Sequence, residues 1–175
     1  AKSPDVADEY ELHQAVQRRL MSAAMVNGSG SEIIRPMLEA ERMRAYAMLQ
    51  SAGAEKSKNP LLRFDLGEVL FSLDQHGRAA EVLRGAIAEF PRNPHVDRAW
   101  LLLAFACGHT GDHVCERTAY HEVQRRQTEE SHRDTPALNL AETEMHQGDL
   151  REAIEGYREA IDLSARTPDH QTTRP

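Results

Sequence analysis

Aromatic residues, cysteines and long apolar runs are all scarce in this sequence. Aromatic side chains make up 5% of its 175 residues, and it has two cysteines and one tryptophan. No apolar run approaches the roughly 20 residues that span a bilayer. No phosphate-binding loop, nucleophile elbow, H-E-x-x-H motif or haem-attachment motif occurs. We therefore expect no enzymatic activity, no cofactor, no metal site and no direct insertion into a membrane.

Positive charge is also scarce in the second part of the chain. Residues 1–59 carry eight Lys and Arg against eight Asp and Glu, whereas residues 60–175 carry 13 against 20, so the whole net charge of −7 lies there. Because nucleic-acid binding needs a basic face for the phosphates, no nucleic-acid partner is expected. The remaining composition, 40% hydrophobic and rich in Ala, Leu, Glu and Arg, favours a folded helical protein.

The chain begins at Ala1, as a mature exported protein would. This start favours an exported or periplasmic protein, and a cytoplasmic location is the alternative. Arginine outnumbers lysine 18 to three, which indicates a GC-rich, bacterial genome more than a function.

A period of 37 residues connects three segments, which begin near Pro60, Asp97 and Asp134. Each segment places a Leu and then a small residue in its first half, and a large and then a smaller residue in its second half. The matching sets are Leu66, Leu103 and Leu140; Gly67, Ala104 and Ala141; Leu83, Tyr120 and Tyr157; and Ala86, Val123 and Ala160. A recurrence of this length is typical of helical-hairpin repeats.

Each segment is predicted to form two helices, because apolar residues at helical spacing are interrupted by "DQHGR", "GHTGDH" or "HQGD". Gly111 and Gly148 lie where a turn between helices needs a positive φ. The small residues at 67, 104 and 141 suit the point where the two helices of a hairpin approach most closely.

These positions resemble the pattern of the tetratricopeptide repeat (TPR) family, through Trp100-x2-Leu103–Ala104, Ala79-x3-Leu83 and Ala153-x3-Tyr157. The resemblance implies an all-α, right-handed α-solenoid and a non-enzymatic role as an adaptor or scaffold. Glu116 departs from the pattern, because the second helix usually has Ala there, so we expect a looser hairpin. The implied organisation is an N-terminal helical pair over 1–59, repeats over 60–96, 97–133 and 134–166, and a polar tail over 167–175.

The first 59 residues are predicted to form two helices separated by "NGSGS". In the second helix Pro36 is tolerable only within the first turn. We interpret this pair as a divergent hairpin that covers one end of the solenoid.

By resemblance to the family, the first helices of successive repeats line a concave groove that binds a partner helix or an apolar peptide. The groove has an acidic fringe, and packing of its Phe residues between repeats is the alternative. Its residues would be Leu61, Phe64, Glu68, Phe71, Arg98, Leu101, Phe105, His109, Leu138, Glu142 and Met145.

The last helix of a repeat array exposes apolar surface unless something covers it. Leu150, Ile154 and Ile161 are therefore candidate end-face contacts, either to a second copy of the chain or within a larger, multi-subunit assembly such as one in the cell envelope.

"CGHTGDHVC" places Cys107, His109, His113 and Cys115 around one turn. A Cys107–Cys115 disulfide, two free cysteines and a zinc-binding regulatory site are the three alternatives, of which zinc fits worst because C-x-H-x3-H-x-C is not a usual zinc spacing. His76, His113 and His146 recur near corresponding turns, either as solvated residues or as a pH-sensitive edge.

Overall fold

The computed structural model describes residues 6–26, 31–126 and 134–166. Within these ranges the chain forms eight α-helices and no strand. They are α1 (Val6–Val26), α2 (Ser31–Ser51), α3 (Pro60–Ser72), α4 (His76–Glu89), α5 (Val96–Thr110), α6 (His113–Arg126), α7 (Asp134–Gln147) and α8 (Leu150–Arg166), with a short 3-10 helix at Ala54–Lys56. The expectation of an all-α fold is confirmed.

The chain divides into two compact units, residues 1–102 and 103–175, and the division falls within α5. In the first unit, α1 packs on α2, α3 packs on α4, and both α1 and α2 contact α3. In the second unit, α6 packs on α7, and α7 packs on α8. None of the described helices is both long and apolar enough to cross a bilayer.

The three turns that join α3 to α4, α5 to α6, and α7 to α8 have the same geometry at intervals of 37 residues. Asp74, Gly111 and Gly148 have φ angles of 58°, 73° and 86°. The next residue in each turn donates its backbone N–H to a carbonyl five residues earlier, as in Gln75 to Leu70, Asp112 to Cys107 and Asp149 to Glu144, at 2.9–3.0 Å. The first turn therefore uses aspartate, which tolerates the left-handed region, where the other two use glycine.

Most of the positions that define the sequence period lie in the core of the hairpins, whereas Tyr157 is half-buried. Leu66, Leu103 and Leu140 are 2%, 2% and 7% exposed, and Ala104 and Ala141 are fully buried. In the first hairpin, a Cβ atom on Gly67 would lie 2.5 Å from the Leu83 side chain. The small residues thus permit close helix packing, as the sequence predicted.

One local expectation was wrong. Helix α2 begins at Ser31, so Pro36 lies inside the helix and beyond its first turn. Proline lacks the N–H that would bond to the carbonyl of Glu32, so the helix loses a single backbone hydrogen bond close to its N-terminal end. The rest of α2 packs normally, since Ala45 and Leu49 are fully buried.

The repeat boundaries at 60, 97 and 134 stay a prediction. The polar tail over 167–175 and the "NGSG" of residues 27–30 lie outside the described residues.

Candidate binding surfaces

The second unit contains an open pocket of about 580 Å³ between α5, α6 and α7. Three of the residues assigned to the groove line it: Phe105, His109 and Glu142. The remaining lining residues are polar or aromatic, with one glycine: Gly108, His113, Glu116, Tyr120, Asn139, Thr143 and His146. We call this site the histidine pocket.

Glu116 is a half-buried carboxylate that lines the histidine pocket. Its side chain is 12% exposed, its Oε1 accepts a hydrogen bond from Thr143 Oγ1 at 2.9 Å, and its Oε2 lies 3.1 Å from Nδ1 of His113. Ala79 and Ala153, one period to either side, are almost completely buried between helices. The carboxylate fits at this position because Gly108 faces it: a Cβ on Gly108 would lie 2.7 Å from Glu116 Oε1.

A disulfide between Cys107 and Cys115 joins α5 to α6 beside this pocket, with their Cα atoms 5.9 Å apart. The turn that it closes carries His109 and His113, and Glu116 follows directly. Asp112 caps α6 by accepting the N–H of Cys115 at its Oδ1, 3.1 Å away.

Among the described residues, only Cys107, Asp112 and Cys115 come close enough together to suggest a metal site. Their ligand atoms lie within 4.8 Å of one another, but the disulfide removes both thiolates, which are the forms that bind metal. The four-residue set of Cys107, His109, His113 and Cys115 is not brought together as a metal-binding group.

The apolar wall of the histidine pocket is an aromatic pair. The rings of Phe105 and Tyr120 meet edge to face with centroids 6.1 Å apart. Tyr120 is 3% exposed and Phe105 is 36% exposed. Burial raises the pKa of the Tyr120 phenol, and the negative charges of Glu116 and Glu142 raise it further.

The first unit contains a smaller pocket of about 160 Å³, lined by residues of α1, α3 and α5 together with His95. Four residues assigned to the groove line it: Leu61, Phe64, Glu68 and Arg98. Its other polar lining comes from Tyr10, Glu11, Gln14, Asp65 and His95. We call this site the acidic pocket.

The acidic pocket is largely closed by its own side chains. Tyr10 is 4% exposed and Phe64 is 6% exposed, and Arg98 forms an ion pair with Glu68. Burial, and then the nearby charge of Glu68, raises the pKa of the Asp65 carboxyl to about 7, and burial raises the pKa of Glu68 as well. Because Phe64 packs inside the unit, replacing it by Glu would disturb the fold.

The other residues assigned to the groove do not line either pocket. Leu138 and Met145 are 40% and 44% exposed on α7, and the Met145 sulfur accepts a hydrogen bond from the Tyr157 hydroxyl at 3.5 Å. Phe71 is half-buried against the His76 ring, and Leu101 is half-buried on α5.

The candidate end-face residues are exposed. Leu150, Ile154 and Ile161 are 62%, 52% and 67% exposed on α8. They recur at intervals of four and seven residues, so they share one face of the helix.

Sequence reasoning assigned no binding role to Tyr10, Asp65, Tyr120, Asn139 or Thr143, although Tyr120 is one of the positions that define the repeat. Tyr10 and Asp65 come together only through the packing of α1 on α3, for which the sequence carries no signal. Glu116 did carry one, because it is the acidic residue at a position that is alanine in both neighbouring repeats.

Comparisons with known proteins show the fold. No protein-family model matches the sequence, and no curated protein matches it. A crystal structure of MamA matches with a TM-score of 0.62 at 16% identity, over 94% of this chain and 97% of that one. The MamA RS-1 ArsTM double mutant matches with a TM-score of 0.63 at 18% identity, over 94% and 98%. MamA is a TPR-containing protein, so this chain has a TPR-like helical fold.

Proposed function

We propose that this chain is a member of the TPR family that acts as a non-enzymatic adaptor, and that it binds a partner helix or peptide at the histidine pocket. The observation that carries the proposal is the departure of the α5–α6 hairpin from its neighbours. A buried alanine position holds Glu116, and Gly108 makes room for it. Departures from a local pattern that are accommodated in this way concentrate at functional sites.

The surroundings of the pocket suit a partner segment. Leu138, exposed on α7, and Phe105, at the pocket wall, offer apolar contacts, while Glu142 offers a polar one. An apolar surface with a few polar groups is what an amphipathic helix or a short peptide recognises. The TPR-like fold of MamA, a protein-interaction scaffold, supports the same class of function.

The experiment that tests this function is site-specific photo-crosslinking in the native cells. A benzophenone amino acid would replace Leu138 or His109 at the pocket, and Val114 as the control, since Val114 is 80% exposed in the same unit and does not line the pocket. We expect one protein to be captured from positions 138 and 109 and not from 114. Equal capture at all three positions, or none at 138 and 109, would contradict the proposal.

A second candidate function is assembly. The exposed stripe of Leu150, Ile154 and Ile161 on α8 is the observation that favours it, because exposed apolar faces of this kind mark interaction sites. The chain would then be a structural subunit that uses this face. Sedimentation of the purified chain tests this directly, as described in the Discussion.

A further inference from the structure

From the charges and rings of the histidine pocket we infer the chemistry of the group that it binds: a positively charged side chain, lysine or arginine, from the partner segment. This inference rests on the proposed function, because it names the group that the partner would present. It depends on three features of the pocket, which are its carboxylates, its aromatic wall and the absence of lysine and arginine from the described residues that line it.

The two carboxylates act on the same region of the pocket. Glu116 and Glu142 both raise the pKa of the Tyr120 phenol, so their negative fields overlap at that ring. Glu116 uses two acceptor sites, one for Thr143 and one toward His113. Since an ionised carboxylate offers about four acceptor sites, Glu116 keeps capacity for a further donor.

The aromatic wall suits the same ligand. A cation is attracted to the face of an aromatic ring, and the gain is about 0.5–2 kcal/mol, depending on how far the pair is removed from water. Phe105 is the more exposed ring of the pair, and Tyr120 packs edge to face against it. The stem of a lysine or arginine side chain is apolar and can lie along such a wall while the charge reaches the carboxylates.

Within the described residues, His113 is the one basic side chain paired with either carboxylate, through Glu116, and it is a cation only when protonated. Neither lysine nor arginine is among the described residues that line the pocket, and Glu142 makes no ion pair with any residue that the structure describes. The acidic pocket differs on this point. Glu68 lies exactly two periods before Glu142, and Arg98 supplies the positive partner there. For Glu142 we infer that the positive partner comes from another molecule.

The size of the pocket agrees with this ligand. Its volume of about 580 Å³ lies within the usual range for ligand sites, roughly 300–1,000 Å³, and it exceeds what one guanidinium or ammonium group fills. His109, His113 and His146 line it, and a neutral imidazole can accept a hydrogen bond from a guanidinium or ammonium donor.

The test is an NMR titration of the isotope-labelled full chain with Nα-acetyl-arginine amide. The control ligand is Nα-acetyl-citrulline amide, which has nearly the same shape without the charge. We expect saturable shifts at the backbone amides of Gly108, Glu116 and Thr143 with the arginine compound and none with the citrulline compound. Equal shifts with both ligands, or no saturable shift with the arginine compound, would overturn the inference.

Two double variants locate the effect. Glu116→Gln with Glu142→Gln should weaken binding of the arginine compound by about tenfold, the loss expected when charge-assisted hydrogen bonds are removed. Glu155→Gln with Glu159→Gln changes net charge equally on the exposed surface of α8 and should leave binding unchanged. A similar loss in both double variants would overturn the inference, because it would reduce the effect to overall charge.

A third variant keeps the inference testable if the double variant Glu116→Gln with Glu142→Gln fails to fold. Phe105→Leu keeps apolar volume but removes the ring, and it should also weaken binding of the arginine compound; unchanged binding in this variant would contradict the aromatic contribution. Failure of the cation inference can be distinguished from failure of the proposed adaptor function. A partner crosslinked at Leu138 and His109 would uphold the adaptor role even if the citrulline compound bound as well as the arginine compound.

Discussion

The hairpins α3–α4 and α5–α6 follow the same sequence period but hold their helices together differently. In α3–α4 the contact is apolar: Gly67 lets the helices approach, Leu83 fills the space against it, and Ala79 is fully buried. In α5–α6 the positions equivalent to Gly67 and Leu83 hold Ala104 and Tyr120, while Glu116 replaces Ala79 and the Cys107–Cys115 disulfide joins the helices. The α3–α4 hairpin is held together by apolar packing, whereas the α5–α6 hairpin combines a disulfide with an open pocket.

Under the proposed function, this difference between the hairpins is what makes room for a binding site. A polar side chain at a buried helix contact weakens the packing of that contact, and a disulfide restores stability by restricting the unfolded chain. The two pockets also differ in the charged groups that line them. The acidic pocket carries its own cation, Arg98, whereas neither lysine nor arginine is among the described residues that line the histidine pocket.

The largest expected effect tests the apolar contact of the first hairpin. Gly67→Val should lower the free energy of unfolding by about 3 kcal/mol, because even a Cβ at this position would lie 2.5 Å from Leu83. Gly77→Val is the matched control, since nothing lies within 4 Å of a Cβ there; we expect its effect to stay within about 0.5 kcal/mol. Urea unfolding followed by circular dichroism measures both, and equal effects would show that the close approach is unimportant.

The next effect tests the covalent link of the second hairpin. Replacing Cys107 and Cys115 by Ser should destabilise the second unit by roughly 2–3 kcal/mol, the value for a short disulfide loop. Hydrogen exchange should locate the loss in α6, while α3 and α4 keep their protection. A reductant should produce the same change in the unmodified chain and no change in the double variant, and identical unfolding curves with and without reductant would contradict a stabilising role for the bond.

A smaller effect concerns the acidic pocket and pH. The pKa of Asp65 is raised from 3.8 to about 7 in the folded state, so the folded chain retains a proton that the unfolded chain loses. The contribution of Asp65 to stability should therefore fall as the pH rises from about 4 to about 7 and should not recover above that range. If the whole pKa shift acted on stability, the free energy of unfolding would fall by about 4 kcal/mol across this range.

Asp65→Asn removes this dependence. Because Asp65 keeps partial contact with solvent, we expect the variant to be more stable than the unmodified chain by about 1–2 kcal/mol near pH 8, and the two to converge near pH 4. Thermal unfolding across this pH range measures the difference. The exposed residue Asp74 provides the control as Asp74→Asn, and a pH-independent difference for Asp65→Asn would contradict the assignment.

The smallest effect on stability belongs to the exposed face of α8. Ile154→Gln with Ile161→Gln should change the free energy of unfolding by less than about 0.5 kcal/mol, since both side chains are mostly exposed. If this face is an assembly contact, sedimentation velocity should show a higher-order species of the unmodified chain that the double variant loses. Val114→Gln is the exposed apolar control, and a monomer in every case would exclude self-assembly through α8.

Much of the fold could be predicted from the sequence because the same residue pattern occurs in three successive segments. The period of 37 residues located the hairpins, and the small residues at 67, 104 and 141 marked the close approach of their helices. Gly111 and Gly148 marked two turns with a positive φ. The positive φ of Asp74, at the first of the three turns, was not predicted because aspartate adopts this conformation less often than glycine does.

The pockets were only partly accessible to the same reasoning. The resemblance to the TPR family assigned Phe105, His109 and Glu142 to a groove, and all three line the histidine pocket. It also assigned Phe64 to the groove surface, although Phe64 is buried. The sequence carried no signal that α1 would place Tyr10 beside Asp65 and Glu68. Helical spacing specifies which residues share a face, whereas the depth of a side chain depends on the neighbouring helix that covers it.

The sequence by itself determined the helices, the hairpins and the irregular position at Glu116, because these depend on local spacing and on the size of side chains. Only the tertiary structure decided what Glu116 does. It placed Gly108, Thr143 and His113 around the carboxylate, since the contacts of a buried charge are set by groups that are distant along the chain and are brought together when the helices pack.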